Sequence, residues 1–274
     1  MTGEFLGLKA NDSALLCMTT EAISGKMMIV RAIVLDLKLI VTDITSTPLK
    51  NSNQKIDFVA MVPMQVEGSL KELLLINKLI VGGGTISNHL WNAISESEVL
   101  AYQTFGMTET ISHIAMRRIS KELTNYNVLP GVEIVDENGC LTIKAPMLGV
   151  ENLQTNDQVE ISKDGSFKWL GRKDFVINSG GIKIHPELVE DKLTVLIQQP
   201  FFVIGLPDDT FGEKLILCIE GDAAILKSEL ERCLDKFCIP KEVHYFSEFL
   251  RTASGKINRL KTIERLADAK KQVL

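Results

Sequence analysis

The stretch Val99-Leu100-Ala101-Tyr102-Gln103-Thr104-Phe105-Gly106-Met107-Thr108-Glu109-Thr110 decides how the chain is read. Its apolar opening predicts a strand over 99–104. A glycine then turns the backbone and delivers a hydroxyl and a carboxylate side by side. Thr108 can donate to a phosphate oxygen, and the hard oxygens of Glu109 suit Mg2+. Phe105 offers a flat face to a purine. Taken alone, the run reads equally as a polar turn between two strands.

Upstream, apolar runs alternate with helical patterns. Met1–Ala10 reads as the tail of a helix. Strands are expected over 13–18, 37–41, 56–61 and 78–81, and helices over 25–35, 67–75 and 86–95. Alternation of this kind predicts a largely parallel sheet with helices on its faces. Ligands of such sheets bind at the carboxyl ends of the strands, where both Gly82-Gly83-Gly84 and Thr108-Glu109 fall.

Downstream the pattern changes. Residues 132–135 and 141–144 flank Asn138-Gly139, and 158–161 and 167–170 flank Asp164-Gly165, two hairpin signals. A boundary is expected near 171–174. Beyond it, helices over 187–197, 224–237 and 256–266 and strands over 201–205, 215–220 and 243–246 predict a compact α+β unit. The fold class is therefore α/β: part of a large domain with a mostly parallel sheet and antiparallel closing strands, then a small α+β domain.

Composition narrows the function classes. The chain has 274 residues, 45% of them hydrophobic, enough for a sizeable core, and a net charge of -5 with acids and bases interspersed. No basic tract points to nucleic acid. The most apolar region, 27–41, is broken by Arg31, Asp36 and Lys38, so no membrane span is expected. Five scattered cysteines without Cys-x-x-Cys spacing fit a reduced, cytoplasmic compartment better than a disulfide framework or structural zinc. Ser24-Gly25-Lys26 is not a P-loop, because Thr20 stands where that loop needs glycine.

The aromatic-Gly-x-Thr-Glu run resembles a signature of the adenylate-forming enzymes: acyl-CoA synthetases, luciferases and peptide-synthetase adenylation domains. Further motifs follow in that family's order. They are Gly82-Gly83-Gly84, Thr155-Asn156-Asp157, Gly171-Arg172-Lys173-Asp174, Asn178 to Glu187 and Arg251-Thr252-Ala253-Ser254-Gly255-Lys256. The resemblance implies that ATP, Mg2+ and CoA act on a small-molecule acid: the carboxylate attacks the α-phosphate, and a thiol then displaces AMP. Residues 1–171 would be the carboxyl-side part of the large domain, 172–174 a hinge and 175–274 a small mobile domain.

Roles follow residue by residue from the same resemblance. Lys256 would bridge the acid carboxylate and the α-phosphate, with Thr108 beside it as the second catalytic group. Asp157 and Arg172 would hold the ribose. Gly82, Gly83, Gly84, Gln103, Phe105, Gly106 and Thr108 would line the nucleotide, and Glu109 would bind the metal. Asp174 would be the hinge, and Gly180 and Gly181 would line the CoA channel. Ile23 to Met28, Asp57 to Val66 and Thr108 to Ala115 resemble the o-succinylbenzoate-activating branch of menaquinone biosynthesis, with Ser24, Gly25, Lys26 and Thr104 in the acid pocket.

Three departures qualify this. Asn156 replaces a usual glycine before Asp157, and Ala22 stands where many relatives have histidine. A Ser/Thr/Gly-rich loop ending in Pro-Lys, which holds the outer phosphates, is not in the sequence. An amino-terminal subdomain is therefore expected to be missing, with self-association of the exposed edge as a consequence. Two alternatives stay open: a truncated form that binds nucleotide or acyl-adenylate without turnover, and a CoA ligase for another aryl or acyl acid.

Overall fold

A computed structural model describes residues 1–50, 52–222, 225–252 and 256–274. By backbone contacts the chain divides into two units, residues 1–155 with 159–169, and residues 156–158 with 170–274.

The first unit opens with α1 (Thr2–Leu6), β1 (Ser13–Leu16), α2 (Ile23–Leu35), β2 (Lys38–Val41) and β3 (Ile56–Met61). Then come α3 (Pro63–Glu67), β4 (Ile76–Val81), α4 (Asn88–Glu96), β5 (Leu100–Gly106), β6 (His113–Arg118) and β7 (Asn127–Val128). Seven strands form one sheet in the order β2-β1-β3-β4-β5-β6-β7. The pairs from β2 to β5 are parallel, and β6 and β7 close the sheet antiparallel. Both faces of this sheet are covered, so β3 is apolar almost throughout instead of alternating. On one face Val59, Met61, Leu79 and Val81 pack with Leu90 and Ile94 of α4; on the other Phe58, Ala60 and Ile80 pack with Met28 and Ala32 of α2. Burying each large side chain contributes about 1.5–3 kcal/mol.

A three-stranded antiparallel sheet follows: β8 (Glu133–Glu137), β9 (Cys140–Ala145) and β10 (Val150–Gln154). Asn138 and Gly139 both take positive φ in the turn between β8 and β9, as the hairpin signal predicts. The chain then runs through a two-stranded ribbon, β11 (Asp157–Ile161) and β12 (Phe167–Arg172).

The second unit contains β13 (Ile177–Ser179), β14 (Ile182–Ile184), α5 (Pro186–Leu193), β15 (Phe201–Asp208) and β16 (Gly212–Glu220). It ends with α6 (Lys227–Cys233), β17 (Glu242–Phe246), α7 (Arg259–Ile263) and β18 (Lys270–Val273). β15 and β16 form a long antiparallel pair, and β17 joins β16 in parallel. Separate apolar clusters cover the two faces, one around Leu217 and Leu230 and one around Phe202 and Phe249.

Several expectations need correction. The helix expected over 67–75 starts at Pro63, whose fixed φ suits a first helical turn, and 70–75 is 3-10 instead. The helix expected from 256 begins at Arg259, where Asn258 caps it by accepting from the Lys261 backbone at 3.2 Å. Lys256 therefore precedes the helix. The helix expected over 224–237 is confined to α6, and Ala224 lies outside the described residues, as do 253–255 of the Lys256 motif. β6, β7, β10, β13, β14 and β18 are not among the expected strands.

Candidate active site

The turn after β5 is held by one side chain. Thr110 is buried, and its hydroxyl accepts from the Met107 backbone at 3.1 Å and donates to the Ser112 carbonyl at 2.8 Å. Its neighbours Thr108 and Glu109 stay exposed, and Glu109 carries no ion pair among the described residues. The next residue, Ile111, takes φ 63°, a costly conformation for a β-branched residue. Gly106 pairs with His113 across β5 and β6, and a Cβ there would run into the Ser112 and His113 backbone. Glycine is thus required by close approach. The lone carboxylate of Glu109 suits Mg2+, which takes one or two protein carboxylates and completes its shell with phosphate oxygens and water.

Strand alternation sorts the other residues of β5. Gln103 and Phe105 point toward α4 and the aromatic residues beyond it. Gln103 accepts from Arg117 at 2.7 Å, and Phe105 meets Tyr126 and Phe167 with ring centres 5.6 and 5.3 Å away. Tyr102 packs with the α1 and α2 cluster, touching Phe5 at 5.5 Å, and Thr104 shares that side. Thr104 donates to the Val81 carbonyl at 3.2 Å and leaves no room for a side chain on Gly82. Gly82, Gly83 and Gly84 follow β4 directly, so the glycine turn and the Thr108 turn stand at neighbouring strand ends.

A cleft of about 170 Å3 lies between α2 and the segment 110–113. Met27, Val30, Val34 and Leu35 give it apolar walls, and Arg31, Ser112 and His113 give it polar ones. Ser24 precedes Arg31 by seven residues, two helical turns, and so shares its face of α2, whereas Lys26 is exposed on another. Gly25 lets the helix start pack on the Thr19 backbone. Arg31 is 7% exposed; its Nη2 donates to Ser112 Oγ at 3.2 Å, and its Nε has no partner among the described residues. Burial pulls the guanidinium down to about 10, so it remains cationic at neutral pH. Burial, reinforced by Arg31, holds His113 down at about 3. His113 is therefore a neutral ring beside the cation, with Thr2 Oγ1 at 3.1 Å and Ser112 Oγ at 3.3 Å.

In the second unit, Arg172 forks onto Asp174 at 3.2 and 3.0 Å. That contact, with the charges of Asp157 and Glu187 nearby, raises the Arg172 pKa against the opposing effect of burial. The Lys173 backbone donates to the Asn156 carbonyl at 2.7 Å, so 156–157 and 172–174 are neighbours. Gly180 and Gly181, at φ 59° and 81°, make the tight turn between β13 and β14. Lys256 is exposed, with no ion pair to its ammonium among the described residues; its carbonyl accepts from the Thr252 backbone at 2.8 Å, and its backbone N–H donates to the Thr252 hydroxyl at 3.2 Å.

An acyl-CoA synthetase (AMP-forming)/AMP-acid ligase II-like protein from Dyadobacter fermentans DSM 18053 is 35% identical, with 97% of this chain and 81% of that one covered and a TM-score of 0.60. The chain belongs to the AMP-forming acyl-CoA synthetase family. Within that family it is 28% identical over 284 residues to the 2-succinylbenzoate–CoA ligase of Lactococcus lactis, covering 93% of this chain. The chain spans 63% of the length of that relative. The fold also matches o-succinylbenzoate CoA synthetase from Bacillus subtilis, solved with its acyl-adenylate intermediate, at TM-score 0.85, 22% identity and coverage of 100% and 64%. No protein-family model matches the chain.

Two residues of this chain were not singled out from the sequence. Arg31 counted only as a charge interrupting an apolar run. The available signal was an arginine on the buried face of an otherwise apolar helix, a position that needs a partner. Arg117 carried no sequence signal, since its contact with Gln103 arises from pairing across two strands.

Proposed function

We propose that this chain takes part in ATP-dependent activation of o-succinylbenzoate to an acyl-adenylate and its transfer to CoA, in menaquinone biosynthesis. The observation that carries this reading is Arg31, a buried cation with no carboxylate partner among the described residues, in an apolar cleft beside the Thr108–Thr110 turn. An aromatic diacid fits that chemistry: apolar walls take the ring, Arg31 takes one carboxylate, and the other is left to react. Burying a charge is costly unless it is paired, and a ligand carboxylate supplies the pair.

In this reading Thr108 donates to phosphate oxygens and Glu109 holds Mg2+. Gln103 and Phe105 line the base, Gly82 to Gly84 let backbone approach it, and Asp157 accepts from the ribose hydroxyls with Arg172 beside it. Lys256 supplies the ammonium for the carboxylate and α-phosphate, a point charge with rotatable donors. Asp174 is the hinge, with 1–171 and 175–274 as the domains it joins, and Gly180-Gly181 lines the thiol channel. Five free cysteines agree with a cytoplasmic setting.

The test is pyrophosphate release by the 274-residue chain with ATP, Mg2+ and o-succinylbenzoate, beside Lys256→Ala. Release that requires the acid and collapses in the variant supports the reading. Saturable AMP binding without release would restrict the chain to binding. Release with other aryl acids but not this one would move the substrate.

A further inference from the structure

Arg117 stands opposite Gln103 in the antiparallel register of β5 and β6. Its guanidinium lies between two aromatic rings, 4.8 Å from Trp91 and 4.9 Å from Tyr126, and its Nε donates to Gln103 Oε1 at 2.7 Å. Trp91 is itself fixed, its indole N–H donating to the Ser120 carbonyl at 2.9 Å. No carboxylate among the described residues pairs with Arg117, so Gln103 is its one side-chain hydrogen-bond partner there.

The consequence lies in donor and acceptor chemistry. A guanidinium only donates, so the amide atom facing it must be oxygen. The two amide orientations of Gln103 are no longer equivalent. Its Nε2 is turned away from Arg117, carries two N–H donors and meets no acceptor among the described residues. Gln103 is level with Val81, the last residue before the glycine turn, at the carboxyl edge of the sheet.

We propose that Arg117 is a positioning residue that makes Gln103 a fixed hydrogen-bond donor at the nucleotide site, selecting a purine by one of its unprotonated ring nitrogens. This rests on the nucleotide-site reading above and deepens it. A free glutamine could offer either end of its amide to a base. One clamped by Arg117 offers only N–H, and so prefers an edge bearing an acceptor such as N1 or N7 of adenine.

The isosteric change Gln103→Glu tests this directly. It keeps the Arg117 contact, now as an ion pair, and replaces the outward donor with an acceptor. Calorimetric titration of the whole chain should show AMP binding at least tenfold weaker, with the unfolding midpoint held or raised. Adenosine, which has no phosphate, should lose as much, separating donor loss from charge repulsion. Either 1-deaza-AMP or 7-deaza-AMP should bind the unaltered chain about tenfold more weakly than AMP. Arg117→Met should weaken AMP binding severalfold in the unaltered chain and leave it unchanged in a Gln103→Ala background, since a residue acting through Gln103 has nothing to act on there. AMP and adenosine binding within twofold in Gln103→Glu, or equal losses from Arg117→Met in both backgrounds, overturns the proposal. Should Arg117→Met fail to fold, the Gln103→Glu comparison decides alone. No AMP binding by the unaltered chain removes the nucleotide-site reading and this inference with it, whereas binding that ignores Gln103→Glu removes the inference alone.

Discussion

Arg31 Nη2 donates to Ser112 Oγ at 3.2 Å, and no carboxylate among the described residues meets the guanidinium. The helix that buries most of the cleft's apolar wall thus also buries a cation compensated only by a hydroxyl and a thioether, Met28 Sδ at 3.9 Å from Nη1. An unpaired buried charge lowers stability, so its presence calls for a gain elsewhere.

Arg31→Met should therefore separate stability from binding. The unfolding midpoint is expected to stay level or rise, because an unpaired buried charge is replaced by an apolar chain of similar length. The KM for o-succinylbenzoate is expected to rise at least tenfold, in keeping with about 1.5–3 kcal/mol for a hydrogen bond to a charged group. A fall in stability with an unchanged KM would make Arg31 a packing residue.

The neutral His113 gives a pH signature. Its folded pKa, about 3, lies below its ordinary value of 6.5, so the unfolded chain binds the proton more readily. This contribution to stability is complete above pH 6.5 and is lost as pH falls from 6.5 toward 3. Urea unfolding of His113→Gln should show a shallower loss across that window than the unaltered chain. Parallel curves would exclude His113 as a source of the acid sensitivity.

Gly106→Ala should destabilise the first unit by about 1–3 kcal/mol, the usual cost of forcing atoms into packed surroundings. The obstacle is backbone of Ser112 and His113, which has no rotamer to move into. Denaturant titration measures this, and a change below about 0.5 kcal/mol would mean that the two strands part easily there.

Self-association is the fourth expectation. β2 is an edge strand, one side of it unpaired among the described residues, and α2 exposes Ile33 and Val34 at 76% and 73%. Unpaired edges and contiguous apolar surface favour association. Light scattering should show mass rising with concentration, and a double change of Ile33→Lys with Val34→Lys should suppress the rise. A monomer at all concentrations would refute this.

Much of the fold was legible because local and tertiary signals agreed. β3 matches its expected bounds, since an apolar run covered on both faces looks the same in sequence and in structure. The Asn138-Gly139 turn was equally readable, because its positive φ values select those residues. Where helical pattern met competing chemistry, bounds moved: Pro63 drew one helix forward, and the Asn258 cap pushed another back. The Thr108-Glu109 turn was visible as a motif, but its fixing by Thr110 depends on a bend that brings Ser112 round to the hydroxyl. Arg31 and Arg117 were illegible for a common reason. Each is defined by neighbours distant in sequence, Ser112 in one case and Trp91 in the other.

The alternation along β5 has a consequence for how specificity can drift. Gln103 and Thr104 are consecutive in the chain yet serve opposite sides of one sheet, one toward Arg117 and one toward α2. On the proposed reading, point changes on α2 would retune the acid accepted and leave the base-reading side unaltered. A single-residue insertion before Tyr102 would do the opposite, exchanging the two sides at once. Diversification of this scaffold should accordingly proceed by substitution on α2 and not by changes in the length of β5.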